Sequence, residues 1–96
     1  MDDLIGTVAT SKAGRDKGRS FIIVGICDEQ HVYVADGSLR KLEKPKKKKL
    51  KHLILQKTVI DGIKSKIYEK KQIFNAEIRN CLLSHGYNHG KISEEE

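Results

Sequence analysis

Aromatic residues are scarce in this chain. Tryptophan is absent, and three tyrosines and two phenylalanines are the whole aromatic complement. That excludes a broad stacking platform of the kind used by single-strand readers. Two cysteines, Cys27 and Cys81, are too few for a disulfide framework and fit a reducing, cytoplasmic setting. The longest apolar run, Phe21–Cys27, is far short of the roughly 20 residues that a membrane helix needs. Met1-Asp2-Asp3 has the wrong sign for the first region of a signal peptide. No Gly-Lys-Ser/Thr opens a helix after a glycine loop, no serine sits in a nucleophile-elbow pattern, and no pair of acids carries a pocket signature. Enzyme chemistry, a cofactor, a small-molecule substrate and a membrane partner are therefore not expected.

What the chain has in quantity is positive charge. Its 96 residues carry a formal net charge of +6. Residues 1–57 hold 13 Lys and Arg against 7 Asp and Glu, whereas residues 58–96 hold 6 of each. All of the excess lies in the first half, which favours a polyanionic partner. At this length one domain is expected, with a small core, because such a chain buries only about 60–65% of its unfolded surface.

The stretch Gly6–Val24 reads as strand, basic glycine turn, strand. Between Ser11 and Gly18 runs S-K-A-G-R-D-K-G, with Gly14 and Gly18 four apart. Glycine permits positive φ and close backbone approach. The loop is therefore expected to expose its N–H groups while Lys12, Arg15, Lys17 and Arg19 reach outward, a surface suited to phosphates. A second basic run, Arg40–Lys51, has eight basic residues and one acid, Glu43. It contains Pro45, the only proline, and reads as an exposed excursion leading into a strand. Lysine offers point charges rather than base reading, so this run predicts affinity more than sequence choice.

The first segment resembles the KOW motif, a strand, a loop of the A-G-R-D-K-G kind and a second strand. Arg19 and Ser20 stand where many KOW sequences carry a further glycine. Two more stretches extend the likeness. V-Y-V-A-D-G at Val32–Gly37 looks like a third strand and turn, and K-K-K-K-L-K-H-L at Lys46–Leu53 looks like a basic run entering a strand. Together, over roughly residues 4–57, the chain resembles a family of archaeal and eukaryotic large-subunit ribosomal proteins and their short bacterial relatives. The resemblance implies an SH3-like barrel and a partner in ribosomal RNA. Several short strands joined by turns point to the same small barrel.

Strands are expected at about Gly6–Thr10, Ser20–Cys27 and His31–Ala35, with one bent strand or two within Lys48–Gln56. Strand two is apolar at most positions, so both its faces are covered or it bends. Gly25 within it marks a bulge or a close backbone approach. Tyr33, opposite in face to Val32 and Val34, is a candidate for stacking on a base. From Thr58 the period changes. Ile60, Ile63 and Ile67 fall on one helical face, giving a helix at about Val59–Glu69 with Thr58 and Asp61 as a capping box. Asn75 is the expected N-cap of a second helix over Ala76–Ser84, and Gly86 its C′ stop. Cys81, His85 and His89 are spaced for one helical side, but Gly86 interrupts the helix and a fourth ligand is missing, so no metal is expected.

The expectation is thus a mainly β chain: a KOW/SH3-like barrel over 1–57, a helical extension over 58–86 packed on or beside it, and a polar tail over 87–96. RNA contact falls to Lys12, Gly14, Arg15, Lys17, Gly18 and Arg19 in the first loop. In the second segment it falls to Arg40, Lys41, Lys46, Lys47, Lys48, Lys49, Lys51 and His52. The alternative is a protein-interaction module using the barrel edge and the helical tail, with Ile60, Ile63, Ile67 and Ile78 offered to a partner.

Overall fold

A computed structural model describes residues 3–88; the tail expected from His89 onward lies outside the described residues. The elements are β1 (Thr7–Ser11), β2 (Ser20–Ile26), β3 (His31–Ala35), β4 (Lys46–Lys49), a 3-10 turn (Leu50–His52), β5 (Leu53–Val59), α1 (Asp61–Tyr68) and α2 (Asn75–Ser84). All strand pairs are antiparallel, and the order across the sheet is β4-β3-β2-β1-β5. A mainly β chain with two helices after the strands is therefore what forms. The sheet is open, with β4 and β5 as its two edges.

The sheet is coated on both sides, which explains the composition of β2. Phe21 and Ile23 share one face with Ala9, Val32, Val34 and Leu53 in a first core. Ile22 and Val8 point the other way and meet Ile60, Ile63, Ile78 and Leu82 in a second. Alternating side chains on a strand put neighbours on opposite faces, so a strand coated twice is apolar throughout. β2 also bends: its pairing with β3 shifts register between Ile23 and Gly25. Gly25 thus marks the bulge; a Cβ there would be in ordinary contact with the Tyr33 ring at 3.4 Å.

Ile60, Ile63 and Ile78 are buried against the sheet rather than offered outward. Two cap assignments change. Ile60 is the N-cap of α1 with no side-chain bond, and the Thr58 hydroxyl instead pairs with that of Tyr87 at 2.9 Å. Phe74, not Asn75, is the N-cap of α2, and its N–H donates to the Glu77 carboxylate at 3.1 Å. Asn75 is drawn off by the loop before β4: its Oδ1 accepts from the Leu42 N–H at 2.8 Å and its Nδ2 donates to Glu43 at 2.9 Å. Gly86 does stop α2. It takes φ +89°, the Tyr87 N–H reaches the Leu82 carbonyl at 2.8 Å, and the Gly86 N–H reaches Leu83 at 3.0 Å. Asn88, expected in the polar tail, is buried, and its amide brackets Ser20 by accepting from the N–H and donating to the carbonyl.

The Asp36–Gly37 turn is where helix and sheet meet most tightly. Gly37 has φ +79°, and a Cβ on it would stand 2.2 Å from the Asn75 carbonyl oxygen. Arg79 donates to the Gly37 carbonyl at 2.8 Å. Gly37→Ala meets both a left-handed backbone and the backbone of α2. It should cost about 3 kcal/mol or more, read as a lowered urea midpoint, whereas Gly62→Ala, in open space on α1, should stabilise by a few tenths to about 1 kcal/mol.

The Glu77 carboxyl is held below the usual 4.5, first by its bond to Lys66 and then by the Phe74 N–H. In the folded chain this group is therefore harder to protonate than in the unfolded one. Its contribution is complete above the ordinary glutamate range and is lost as the pH falls through the folded-state value. The Tm difference between the parent and Glu77→Gln should accordingly vanish on acidification.

Candidate nucleic-acid interface

The loop joining β1 to β2 is closed by its own backbone. Ser11 N–H donates to the Arg19 carbonyl at 2.9 Å, Gly18 N–H to Ser11 at 2.8 Å, and Lys17 N–H to Gly14 at 3.2 Å. Gly14 and Gly18 supply the positive φ this path needs, +78° and +87°. The expected row of open main-chain donors is corrected in part. The amides of Lys12, Lys17, Gly18 and Arg19 are bonded within the chain, so at Lys12 and Lys17 it is the side chains that are left to meet a ligand.

Two residues expected to reach outward do not. Arg19 is buried and paired with buried Asp36. Arg40 is half-buried, its guanidinium placing Nη2 3.1 Å and Nε 3.2 Å from Asp16 Oδ2. A buried acid leaves water only when a cation or several donors replace it, and both acids meet that condition. Asp36 Oδ1 also accepts from the Ser38 N–H at 2.9 Å and the Arg40 N–H at 2.8 Å, while the Arg19 N–H reaches the Asp16 carbonyl at 2.8 Å. Asp16, Arg19, Asp36 and Arg40 thus form a closed ring of bonds joining the two basic segments. The alternation of sign in Arg15-Asp16-Lys17 and the Asp36-Gly37 turn were the sequence signals for it.

A second stitch lies at the 3-10 turn. The Lys12 N–H donates to the His52 carbonyl at 2.9 Å, next to the Ser11–Leu53 pair. His52 therefore ends this turn, exposed, rather than lying within a strand. Lys12 is brought beside Lys51 and His52, and Arg15 and Lys17 flank the acid that holds Arg40.

Lys46–Lys49 are not an irregular excursion but β4 itself, an edge strand. Lys46 and Lys48 stand opposite Val34 and Val32, and Lys47 and Lys49 opposite Tyr33 and His31. Alternation therefore divides the four lysines between two faces of the sheet, so they do not make one row. Lys48 is half-buried and the other three are exposed. A lysine-rich edge also discourages pairing with a foreign strand.

Lys12, Arg15, Lys17, Lys41, Lys46, Lys47, Lys49, Lys51 and His52 all remain exposed, and Lys44, which the sequence reading passed over, joins them. The acids interspersed with them are occupied: Asp16 by Arg40, Asp36 by Arg19, and Glu43 by Asn75. Asp16 and Asp36 are thus matched by Arg40 and Arg19, Glu43 keeps its charge in water beside Lys41, and the exposed cations of the two segments outnumber it. Tyr33 is half-buried with its ring against Gly25.

Among the described residues there is no group of three His, Cys, Asp or Glu placed to hold a metal, and no helix long and apolar enough to cross a membrane. His85 Nδ1 lies 2.9 Å from the Cys81 carbonyl oxygen, and His89 is outside the described residues. In comparison with known proteins, no family model and no curated sequence matches the chain.

Removing Asp36 would leave the Arg19 guanidinium buried without its partner. Asp36→Asn should lower the unfolding free energy by about 3–5 kcal/mol. Glu29→Gln, at an exposed loop position, should change it by less than about 0.5 kcal/mol. Urea titrations of the two variants make the comparison, and equal, small effects would refute a structural role for the ring.

Proposed function

We propose that this chain binds structured RNA through the joined surface of the Lys12–Arg19 loop and the Arg40–His52 segment. The observation that carries this reading is the fate of the acids. Asp16 and Asp36 are buried against Arg40 and Arg19, and Glu43 is the one acid left in water among Lys12, Arg15, Lys17, Lys41, Lys44, Lys46, Lys47, Lys49 and Lys51. A surface with that division attracts a phosphate backbone over a broad area and holds it by point charges. Arg19 and Arg40 belong to the frame beneath this surface, and the ligand-facing set is Lys12, Arg15, Lys17, Lys41, Lys44, Lys47, Lys49, Lys51 and His52.

The strand order, the basic loop between β1 and β2, and the 3-10 turn leading into a last strand that pairs back with β1 all support an SH3-like module of the KOW kind. With the KOW-like motifs of the sequence, this makes ribosomal RNA of the large subunit the preferred ligand and the cytoplasm the place of action. The role is structural or ribosome-associated, not enzymatic.

One observation favours a second reading, a protein-interaction module. β5 is an edge strand, and Ile54, Leu55 and Val59 on it are 48%, 43% and 40% exposed. On the helices the expected isoleucines are committed to the sheet, leaving Tyr68 and Phe74 as the large exposed apolar groups.

Binding to an rRNA-derived hairpin should weaken steeply as salt rises. Lys12→Gln and Lys51→Gln should each lower the log–log slope by about one unit, with little change in Tm, because both side chains are exposed. Co-sedimentation with ribosomes that survives ribonuclease treatment, or a slope indifferent to both substitutions, would move the assignment to the protein-interaction reading.

A further inference from the structure

Between the Asp36–Gly37 turn and the start of β4 the surface is concave. The hollow has a volume of about 400 Å³ and is lined by Leu39, Pro45 and the basic residues Arg40, Lys41, Lys44, Lys46 and Lys47. That volume falls in the range of small-ligand sites, roughly 300–1,000 Å³. Its lining joins two chemistries that rarely meet on a surface meant only for phosphates. Five of the lining residues are cationic, while Leu39 stands 55% exposed beside Pro45.

A second hollow of about 380 Å³ makes a useful contrast. It is lined by Glu29, Gln30, Lys49, Leu50 and Lys51, so its charge is mixed. No acid lines the first. Glu43, the one acid of the run, is bonded to Asn75 at 2.9 Å, and Asp16 is matched to Arg40.

The walls are also held in place before any ligand arrives. Arg40 is fixed by Asp16 on one side, and the Leu42 N–H is fixed by Asn75 of α2 on the other. The Lys44 N–H closes a turn onto the Lys41 carbonyl at 3.0 Å. A loop tied at both ends loses little freedom on binding.

Resting on the RNA reading above, we infer that this hollow receives one unstacked nucleotide of the bound RNA, its base against Leu39 and Pro45 and its flanking phosphates on Lys41, Lys44 and Lys47. The ligand class is then RNA with a bulged or looped-out nucleotide rather than a continuous duplex. In a paired stem the base faces lie inside the stack, and Leu39 would meet only ribose and phosphate. An extruded base instead covers apolar surface that otherwise stays wet. With lysines as point charges and an aliphatic floor, the site discriminates shape more than base identity.

The test uses the full chain and two RNA hairpins of equal stem length. One is fully paired and the other carries a single unpaired adenosine, replaced by the fluorescent analogue 2-aminopurine in a parallel sample. The bulged hairpin should bind roughly tenfold more tightly, with a change in 2-aminopurine emission on binding. Leu39→Ala should bring the two affinities to parity while leaving the paired hairpin and the Tm unaltered, since Leu39 is largely exposed. Equal, salt-steep binding of both hairpins by the parent overturns the nucleotide site and leaves the RNA reading standing. Failure of both hairpins to bind at low salt overturns the RNA reading itself, and the inference with it. Competition by free adenosine monophosphate at concentrations that do not disturb the paired hairpin assigns the hollow to a soluble nucleotide and likewise overturns the claim.

Discussion

Charge neutralisation inside the sheet end is the constraint on which the rest of this molecule depends. Asp16 and Asp36 are each less than a tenth exposed, and each is matched to an arginine from the other basic segment. The pairing closes through the backbone, with Arg19 N–H on the Asp16 carbonyl and Arg40 N–H on the Asp36 carboxylate. Remove Asp36, Arg19 or Arg40 and a buried charge is stranded, which is costly in a medium that cannot solvate it. The ring also sets the spacing between two loops that would otherwise move independently. A surface assembled from loops gains affinity when its parts are already in position, and here the two loops are positioned by Arg19 and Arg40, each paired with an acid.

A second consequence concerns the helices. β1 and β2 are central strands, and their outward residues Val8 and Ile22 would be wet without α1 and α2. The helices therefore complete the fold. α2 also reaches back to the basic half: Asn75 holds Leu42 and Glu43, Arg79 holds Gly37, and Asn88, just beyond the helix, brackets Ser20. The neutral second half of the chain thus supports the charged first half from behind.

How much could be read in advance depended on the range of the interaction concerned. The strand at His31–Ala35 was legible to the residue because alternation and the flanking turn are local signals. So was the stop at Gly86, where only a residue tolerant of positive φ fits. Other features were not legible. Thr58 and Asn75 have the chemistry of caps, yet Tyr87 and the Leu42–Glu43 backbone and side chain claim them. Lys46–Lys49 looked like a solvated run and is a strand, because β3 offers it a ladder that lysine propensity does not advertise.

From residue order alone came the uneven charge, the glycine loop between two strands, the change of period from Thr58, and the scarcity of aromatic residues. Those are properties of composition and of neighbours in the chain. The division of inward from outward cations, Arg19 and Arg40 inward and Lys12, Arg15, Lys17 and Lys51 outward, was decided only by the folded structure. All of them carry one positive charge, so local sequence cannot separate them. What does so is whether a buried carboxylate, 17 or 24 residues away along the chain, comes to lie within hydrogen-bond reach.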